Sequence, residues 1–396
     1  MNGLSGVCVL LGPSLTPVYD AQIEWDDGKI TRIKGKTDGG PLRFVVLPSF
    51  VNSHTHLGDS IAKEASSGMT LEEAVDPVTG IKTKILEKAD RRETVSAIRK
   101  SLLNALASGT GSIVDFREGG EEGIKALREA ARDSRVEIQV FGRLSHPPEP
   151  ARVKSQSDFT ESEIEELYRV CSVSDGFGIS GANEYSDRML RRIRQVAEEC
   201  GKKVAVHALE SRKTRLRSIA AFGRDELVRI TSELRPNLVI HLTDASRSEI
   251  QLLSSLGAGI VMCPRSNAYL GNGLPPLGVG LAFGAGLGTD NLMVNSADMF
   301  REMEFSYKSA LAFSSDPKSL SPRDVLLGAT VNGSRIFGRE GIQVGEPASF
   351  VVLDLEKSDC LPALNVHATI VNRCSQENVV CVLREGQPIW GTLNFS

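Results

Sequence analysis

The stretch Val51-Asn52-Ser53-His54-Thr55-His56-Leu57-Gly58-Asp59 contains two of the six histidines in this chain of 396 residues. It comes shortly after the apolar run Phe44-Val45-Val46-Leu47-Pro48. Side chains two positions apart on a β-strand point to the same face of the sheet. Two imidazoles in that arrangement can bind one cation at the usual Zn–N distance of about 2 Å. Because surface strands also carry alternating histidines, the pair predicts a metal site only if the chain supplies further ligands.

Other apolar runs of the chain also end in polar residues that can do chemistry. They end in H-x-x-E at His207 and Glu210, in a single histidine at His241, in C-P-R-S-N from Cys263, and in G-T-D-N with Asp290. Short apolar runs that alternate with helical stretches predict βα units and a parallel sheet. If that sheet closes into a barrel, the polar ends of its strands form the catalytic face.

Together these motifs resemble the amidohydrolase superfamily, in the branch of cytosine, guanine and S-adenosylhomocysteine-type deaminases and triazine chlorohydrolases. The resemblance covers nearly the whole chain, from H-T-H at His54 and His56 to the closing segment 345–354. It implies an α/β fold, with a (β/α)8 TIM-like barrel over residues 49–341. It also implies a small β-sandwich side domain that is formed from both chain termini, residues 1–48 and 342–396.

The resemblance further implies a mononuclear metal site with one divalent ion per subunit. Zinc is the expected ion, and iron and manganese are the alternatives. Four side chains would hold it: His54, His56, His207 and Asp290. Glu210 would move a proton from the attacking water to a ring nitrogen of the substrate, His241 would hold the attacking oxygen, and Asp290 would pass a proton to the departing amine. Segment 175–184, at the expected fourth strand, contains no lysine that would bridge a second ion.

Several of these residues have other interpretations when they are taken singly. His241 can form a simple hydrogen bond with a neighbouring loop, and Asp290 can cap a following helix. Asp59 either caps the next segment or faces the pocket. His146 and His367 lie outside the motif pattern, and we expect both to be ordinary polar groups.

Polar side chains after the predicted strands are candidates for substrate binding at the barrel mouth. The candidates are Arg117, Arg143, Glu184, Arg265 and Asn267. Each could contact a ring edge or a remote anionic group of the substrate. An ordinary salt bridge within a loop is an equal alternative for these positions.

The leading functional hypothesis is hydrolytic deamination of an amino-substituted heterocycle by a metal-bound hydroxide. The substrate would be a purine, a pyrimidine, a pterin or a nucleoside-like compound. A second hypothesis is hydrolysis of a C–Cl bond or a cyclic C–N bond, and a third is a metal-binding homologue without turnover. His241 and Asp290 favour the amine, because proton delivery matters most for a poor leaving group. Glu210 argues against the third hypothesis, since a non-catalytic relative has no need of that group.

Composition is typical of a cytoplasmic protein, and the small-molecule substrate is expected from the resemblance. Lysines and arginines number 46 against 50 acidic residues, and no block of like charge indicates nucleic acid or a membrane surface as a partner. The seven cysteines are scattered and lack C-x-x-C spacing, which argues against a disulfide framework. No segment approaches the roughly 18 apolar residues of a membrane span. Homo-oligomerisation is common among such barrels, but no sequence feature marks an interface.

Local patterns predict further elements outside the motifs. Strands are expected on either side of the turn Asp26-Asp27-Gly28, as a hairpin. Towards the C-terminus, strands are expected near residues 350–353, 368–371, 379–383 and 388–390. Segment 68–88 is long and irregular, and it is a candidate lid over the barrel mouth.

Overall fold

Two β-sheets organise the protein, and a computed structural model describes residues 2–393 of it. In the larger sheet the strands are parallel and follow one another in chain order. These strands are Phe50–His56, Thr110–Arg117, Glu137–Gly142, Gly176–Ile179, Lys203–Ala208, Leu238–His241, Gly259–Met262, and an eighth in two short pieces, Gly286–Leu287 and Asp290–Asn291.

The eighth strand closes this sheet into a barrel. Gly286–Leu287 pairs with the seventh strand, whereas Asp290–Asn291 pairs with the first. Both contacts are parallel, so all eight strands point the same way and their C-terminal ends meet at one face. The predicted (β/α)8 barrel is confirmed.

Helices pack around the strands of the barrel. Two of them begin with a capping box of which both halves form, at Thr160 with Glu163 and at Ser246 with Glu249. No helix in residues 2–393 combines the length and the apolar character that crossing a bilayer requires. The α-helices are Leu71–Val75, Ile81–Lys88, Arg91–Ala107, Gly120–Ala131, Pro150–Lys154, Glu161–Val173, Asp187–Cys200, Arg212–Phe222, Glu226–Arg229, Arg247–Ser255, Pro264–Tyr269, Leu277–Ala282, Met299–Ser314, Pro322–Ala329, Val331–Ser334 and Val366–Arg373.

The smaller sheet is mixed and contains strands from both ends of the chain. The two halves meet where Phe44–Pro48 pairs antiparallel with Phe350–Asp354. The predicted hairpin is confirmed, because Thr16–Asp26 pairs antiparallel with Lys29–Lys36. The strands are Asn2–Leu11, Thr16–Asp26, Lys29–Lys36, Phe44–Pro48, Phe350–Asp354, Val379–Arg384 and Gln387–Gly391. All of them lie within the two terminal segments that the sequence predicts as the side domain.

One C-terminal element differs from its prediction. Residues 368–371 were expected to form a strand, but they belong to the helix Val366–Arg373. Asn365 caps this helix by accepting a hydrogen bond from the Ala368 backbone N–H, at 3.0 Å. Ile370 is buried, and the helix packs on the barrel helices Met299–Ser314 and Pro322–Ala329. Tertiary packing here overrides the strand preference of a β-branched run.

A buried pair of side chains fastens the eighth strand to the first. Asn52 Nδ2 donates to Thr289 Oγ1 at 2.8 Å, and Thr289 N donates to Asn52 Oδ1 at 3.0 Å. The close approach needs a glycine at position 288, since a Cβ atom there would lie 2.8 Å from the backbone nitrogen of His54. Together these contacts place Asp290 beside His54.

We predict that Asn52→Ala lowers the free energy of unfolding by about 1–3 kcal/mol, because it leaves the buried N–H of Thr289 without an acceptor. The measurement is urea unfolding of the purified variant. Asn104→Ala is the control, since Asn104 is exposed on the helix Arg91–Ala107, and it should change stability by less than about 0.5 kcal/mol. Equal stability of the two variants would contradict the assigned role of Asn52.

Candidate active site

Four buried side chains from three barrel strands meet at the C-terminal face of the barrel. His54 Nε2 lies 3.1 Å from Asp290 Oδ1 and 3.2 Å from His207 Nε2. His56 Nε2 lies 3.3 Å from His207 Nε2 and 3.5 Å from Asp290 Oδ1. Ligands around a tetrahedral zinc at its usual bond lengths lie about 3.3 Å apart. The four predicted ligands are therefore brought together at the spacing that one ion requires.

Neighbouring acceptors fix which ring nitrogen of two histidines faces this centre. His207 Nδ1 donates to the Ile179 carbonyl at 3.0 Å, and His56 Nδ1 donates to the Glu118 carboxylate at 2.9 Å. A neutral imidazole carries one N–H, so each Nε2 presents a lone pair to the centre. Burial lowers the pKa of His207 well below its ordinary value, and burial with nearby Lys82 lowers the pKa of His56 to about 3. Two lone pairs therefore face each other at neutral pH, an arrangement that a cation would stabilise.

Asp290 is oriented by a residue of the C-P-R-S-N motif. Ser266 Oγ donates to Asp290 Oδ2 at 2.5 Å, which leaves Oδ1 directed at the histidines. Burial alone would raise the pKa of Asp290, but the hydrogen bond with His54 and the nearby imidazoles hold it well below its ordinary value. The following helix is capped by Asp298 instead. The geometry thus favours a charged ligand over a helix cap at Asp290.

Glu118 is the centre of a buried ionic cluster next to the metal site. One of its carboxylate oxygens lies 2.7 Å from Lys82 Nζ and 3.2 Å from Arg143 Nη2, and the other lies 3.2 Å from Arg117 Nη2. Lys82 Nζ is also 2.7 Å from Asp59 Oδ2. Burial would lower the pKa of Lys82, but Asp59 and Glu118 outweigh it and raise the pKa. Asp59, whose role the sequence left open, is therefore the buried partner of an ammonium group.

Glu210 and His241 lie beside the four ligands in the wall of a cavity. Glu210 Oε2 is 3.8 Å from His241 Nε2. Asn267 Nδ2 lies 3.2 Å from His241 Nδ1 and donates to it, which leaves the imidazole proton on Nε2, towards Glu210. Asn272 Nδ2 donates to Glu210 Oε1 at 3.4 Å. Burial raises the pKa of Glu210, which suits a group that takes and returns a proton near neutral pH.

The backbone is strained where these side chains leave their strands. His241 has φ 79°, Asp290 has φ 60°, and Leu209, next to Glu210, has φ 49°. Leu209 N donates to the buried Glu226 carboxylate at 3.0 Å, which holds the turn in place. Left-handed backbone in such residues persists only where the surroundings enforce it, and it concentrates at functional sites.

The cavity has a volume of about 980 Å³, its open mouth included, and reaches from His56, His207 and Asp290 to the surface. The predicted lid, 68–88, contains two short helices, Leu71–Val75 and Ile81–Lys88. Residues from this segment form one side of the cavity. They are Leu71, Glu72, Val75, Asp76, Pro77 and Lys82.

Three of the substrate-binding candidates lie close together. Arg143 and Glu184 line the cavity. Arg117 lines an adjoining cavity, where it is bound to Glu118. These positions are compatible with contact to a substrate, which for Arg117 would come from the adjoining space.

The other two candidates have structural partners. Arg265 Nη1 lies 3.5 Å from Glu302 and donates to the Ser296 carbonyl at 3.5 Å, so its charge is directed to the helix Met299–Ser314. Asn267 contacts His241 rather than the open part of the cavity. Arg265 therefore pairs with Glu302, and Asn267 orients the His241 imidazole.

Four further residues support the site although the sequence predicted no function for them. They are Lys82, Glu226, Ser266 and Asn272. Ser266 stands inside a quoted motif, so its position next to Asn267 could have indicated it. Lys82 lies in the irregular segment, where no periodicity shows which side chains turn inward.

Comparison with known proteins agrees with this geometry. The model of the amidohydrolase family matches residues 45–389. The chain belongs to the amidohydrolase family. It is accordingly a metal-dependent hydrolase of carbon–nitrogen bonds other than peptide bonds.

Individual relatives and a solved structure extend over almost the whole chain. A protein named "Putative aminohydrolase" from Methanothermobacter thermautotrophicus is 34% identical over 391 residues, which is 96% of both chains. A 5'-deoxyadenosine deaminase from Methanosarcina mazei is 24% identical and aligns with 95% of this chain and 89% of its own. The zinc complex of atrazine chlorohydrolase from Arthrobacter aurescens has the same fold, with a TM-score of 0.83, 18% identity, and coverage of 100% of this chain and 97% of its own.

We predict that His207→Ala abolishes stoichiometric metal binding, because it removes the ligand that contacts two of the other three. Metal content after dialysis, measured by inductively coupled plasma mass spectrometry, should fall from one ion per chain to a small fraction of that. Full occupancy in the variant would contradict the ligand set.

We also predict that Glu118→Gln weakens zinc binding about 10–100-fold, since a neutral amide is a poorer acceptor for the His56 N–H. Competition with a zinc chelator gives the affinity. Glu122→Gln is the control, because Glu122 is exposed on the next helix and should leave the affinity unchanged. Equal affinities of the two variants would show that Glu118 does not support the ligand.

Proposed function

We propose that the protein deaminates an amino-substituted heterocycle by hydrolysis, with one divalent ion, zinc being the expected one. The observation that supports this most strongly is the position of Glu210. Its carboxyl group has a raised pKa, lies 3.8 Å from His241 Nε2, and lines the same cavity as the ligands His207 and Asp290. The relatives named as an aminohydrolase and a deaminase support the same reaction class.

The chain's own donor set fits a divalent ion. Three imidazoles with buried, neutral rings and one charged carboxylate form a set that suits zinc and leaves iron or manganese as alternatives. When bound, such an ion supplies hydroxide at neutral pH by lowering the pKa of water from 15.7 to about 7.

Glu210 is the proposed general acid and base. Because burial raises its pKa, the carboxylate can accept a proton from water and then donate it to a ring nitrogen of the substrate. Protonation of the ring nitrogen makes the amino-bearing carbon more electrophilic, and addition of the attacking oxygen to that carbon then breaks the aromaticity of the ring. The Asn272 side chain holds one carboxylate oxygen, so the other is free to face the reacting atoms.

His241 and Asp290 are proposed to complete the proton transfers. The Nε2 proton of His241 is directed into the cavity and can hydrogen-bond the attacking oxygen, since Asn267 occupies Nδ1. Asp290 is held as a carboxylate, so it can accept the proton of the attacking oxygen and pass it to the amine, which then leaves as ammonia. A poor leaving group gains most from such assistance, and this favours an amine over chloride.

The proposed substrates have in common a heterocyclic ring that carries an amino group. Purines, pyrimidines, pterins and nucleoside-like compounds that carry a ring amine are all proposed substrates. A small heterocycle as the partner, rather than nucleic acid or a membrane, stays a prediction, as does homo-oligomerisation. The seven cysteines, all within residues 2–393, are free thiols, which supports the cytoplasmic location expected from the sequence.

We predict that Glu210→Gln retains its metal and loses turnover by about 10²–10⁴-fold or more, because the amide cannot transfer the proton. The measurement is ammonia release over a panel of aminopurines, aminopyrimidines, aminopterins and their nucleosides, with protein reconstituted separately with Zn²⁺, Fe²⁺ and Mn²⁺. Glu198→Gln is the control, since Glu198 is exposed and far along the helix Asp187–Cys200.

Two outcomes of this panel would contradict the proposal. An active, metal-replete Glu210→Gln protein would remove the assigned role of Glu210. The second outcome is that the unaltered, metal-loaded protein releases no ammonia from any compound of the panel but releases chloride from a chlorinated heterocycle. That result would favour chloride as the leaving group.

A further inference from the structure

A second cavity adjoins the catalytic cavity beneath the lid. Its volume is about 1420 Å³, the open mouth included. It extends from the helix Ile81–Lys88 to the loop 143–147 and the start of the helix Gly120–Ala131. Six residues line both cavities and so form the partition between them. They are Val75, Pro77, Lys82, Arg143, Ser180 and Glu184.

The partition and the wall behind it carry more cations than paired carboxylates. Lys82, Arg117 and Arg143 all contact Glu118 within 2.7–3.2 Å, and Asp59 contacts Lys82. Lys82 and Arg117 are each only 5% exposed. Three cations thus share two carboxylates at ion-pair distance, and the buried Asp115 also lies in the field of Arg117. The charge that remains for an anion in this region of low dielectric is mainly that of Arg143.

Glu184 is the remaining acidic group at the partition. Its carboxylate accepts a hydrogen bond from Ser180 Oγ. Burial raises the pKa of Glu184, and the charge of Arg143 only partly opposes this rise. Within residues 2–393 the Glu184 carboxylate forms no ion pair with a lysine or arginine, so it does not occupy the free N–H groups of Arg143.

Arg143 has hydrogen-bond donors to spare. Within residues 2–393 only its Nη2 has a hydrogen-bond partner, the Glu118 carboxylate. The Nε and Nη1 atoms are not fully buried, so they remain accessible from the two cavities that Arg143 lines. A planar guanidinium with free N–H groups matches the paired oxygens of a carboxylate or a phosphate.

The partition lies directly beside the metal ligands. Lys82 Nζ is 3.5 Å from Nδ1 of His56, the ring whose Nε2 faces the other ligands. A group bound at the partition would therefore be attached to the reacting heterocycle itself or to a short arm, and the rest of a larger substituent would extend into the second cavity.

We propose that the partition is a subsite for an acidic group of the substrate, a carboxylate or a phosphate, which binds Arg143 in the field of Lys82, and that the second cavity holds the substituent beyond it. The inference rests on the proposed function, because it takes the reacting heterocycle to be held at the four metal ligands. The substrate class becomes an amino-heterocycle with an oxyanion close to the ring.

Binding to the zinc-loaded Glu210→Gln protein, measured by isothermal titration calorimetry, tests this without turnover. The probes are two matched pairs: pterin with pterin-6-carboxylate, and adenosine with adenosine 5'-monophosphate. The first pair places the oxyanion on the ring and the second places it on a longer arm, so the pair that responds identifies the source. The acidic member of one pair should bind roughly tenfold tighter or more than its neutral partner, the scale of one charge-assisted hydrogen bond.

Second-site variants in the same background assign the preference to Arg143. Arg143→Gln should reduce the ratio of the two affinities to about one while the neutral member still binds, which shows that the cavity is intact. Arg143→Lys should keep part of the preference, since it keeps the charge. Lys84→Gln should keep all of it, because Lys84 is exposed on the same helix as Lys82.

Three results would overturn the proposal: equal affinities within both pairs, no binding by either acidic probe, or a preference that survives Arg143→Gln. The outcome is separable from that of the proposed function. A preserved preference without ammonia release would contradict deamination alone, whereas ammonia release without any preference for the acidic probes would contradict the subsite alone.

Discussion

The rest of the structure depends on one constraint: unprotonated imidazole nitrogens face each other next to Asp290. His56 and His207 have their lone pairs fixed towards each other at 3.3 Å, and both are buried. The barrel holds them in place from beneath, where the Phe116 ring lies 4.5 Å from His54 and 4.9 Å from His207 between centroids. A bound cation would replace this repulsion by bonds to the four ligands. The same contacts would then stabilise the C-terminal face of the barrel and supply its chemistry.

One carboxylate joins the metal site to the segment that covers it. Glu118 accepts from the ligand His56 and from Lys82 of the lid helix, and it also contacts Arg143. Lifting the lid would leave Glu118 and Asp59 without their ammonium partner in a buried setting, which is costly. The orientation of a ligand, the position of the lid and the charge at the cavity partition are therefore set by the same few contacts.

The apolar runs predicted βα units and a parallel sheet, because strand patterns depend on local chemistry. The barrel and the set of residues that meet at its end were implied by the resemblance to the amidohydrolase superfamily. The β-branched run at 368–371 wrongly predicted a strand. The helix found there is stabilised by packing on the barrel helices Met299–Ser314 and Pro322–Ala329. The sequence could not predict the pairing of Lys82 with Asp59 and Glu118, because that pairing depends on the path of the irregular segment 68–88. Arg265 also shows what the sequence could not predict. Its motif belongs to the site, but its guanidinium forms an ion pair with Glu302.

The most direct test of the account is a crystal structure of the zinc-loaded protein with anomalous diffraction recorded on both sides of the zinc absorption edge. We predict a single peak per chain, within about 2.2 Å of the Nε2 atoms of His54, His56 and His207 and of Asp290 Oδ1. Two peaks in the cavity, or one peak held by Asp59 and Glu118 instead, would contradict a mononuclear site at these four residues.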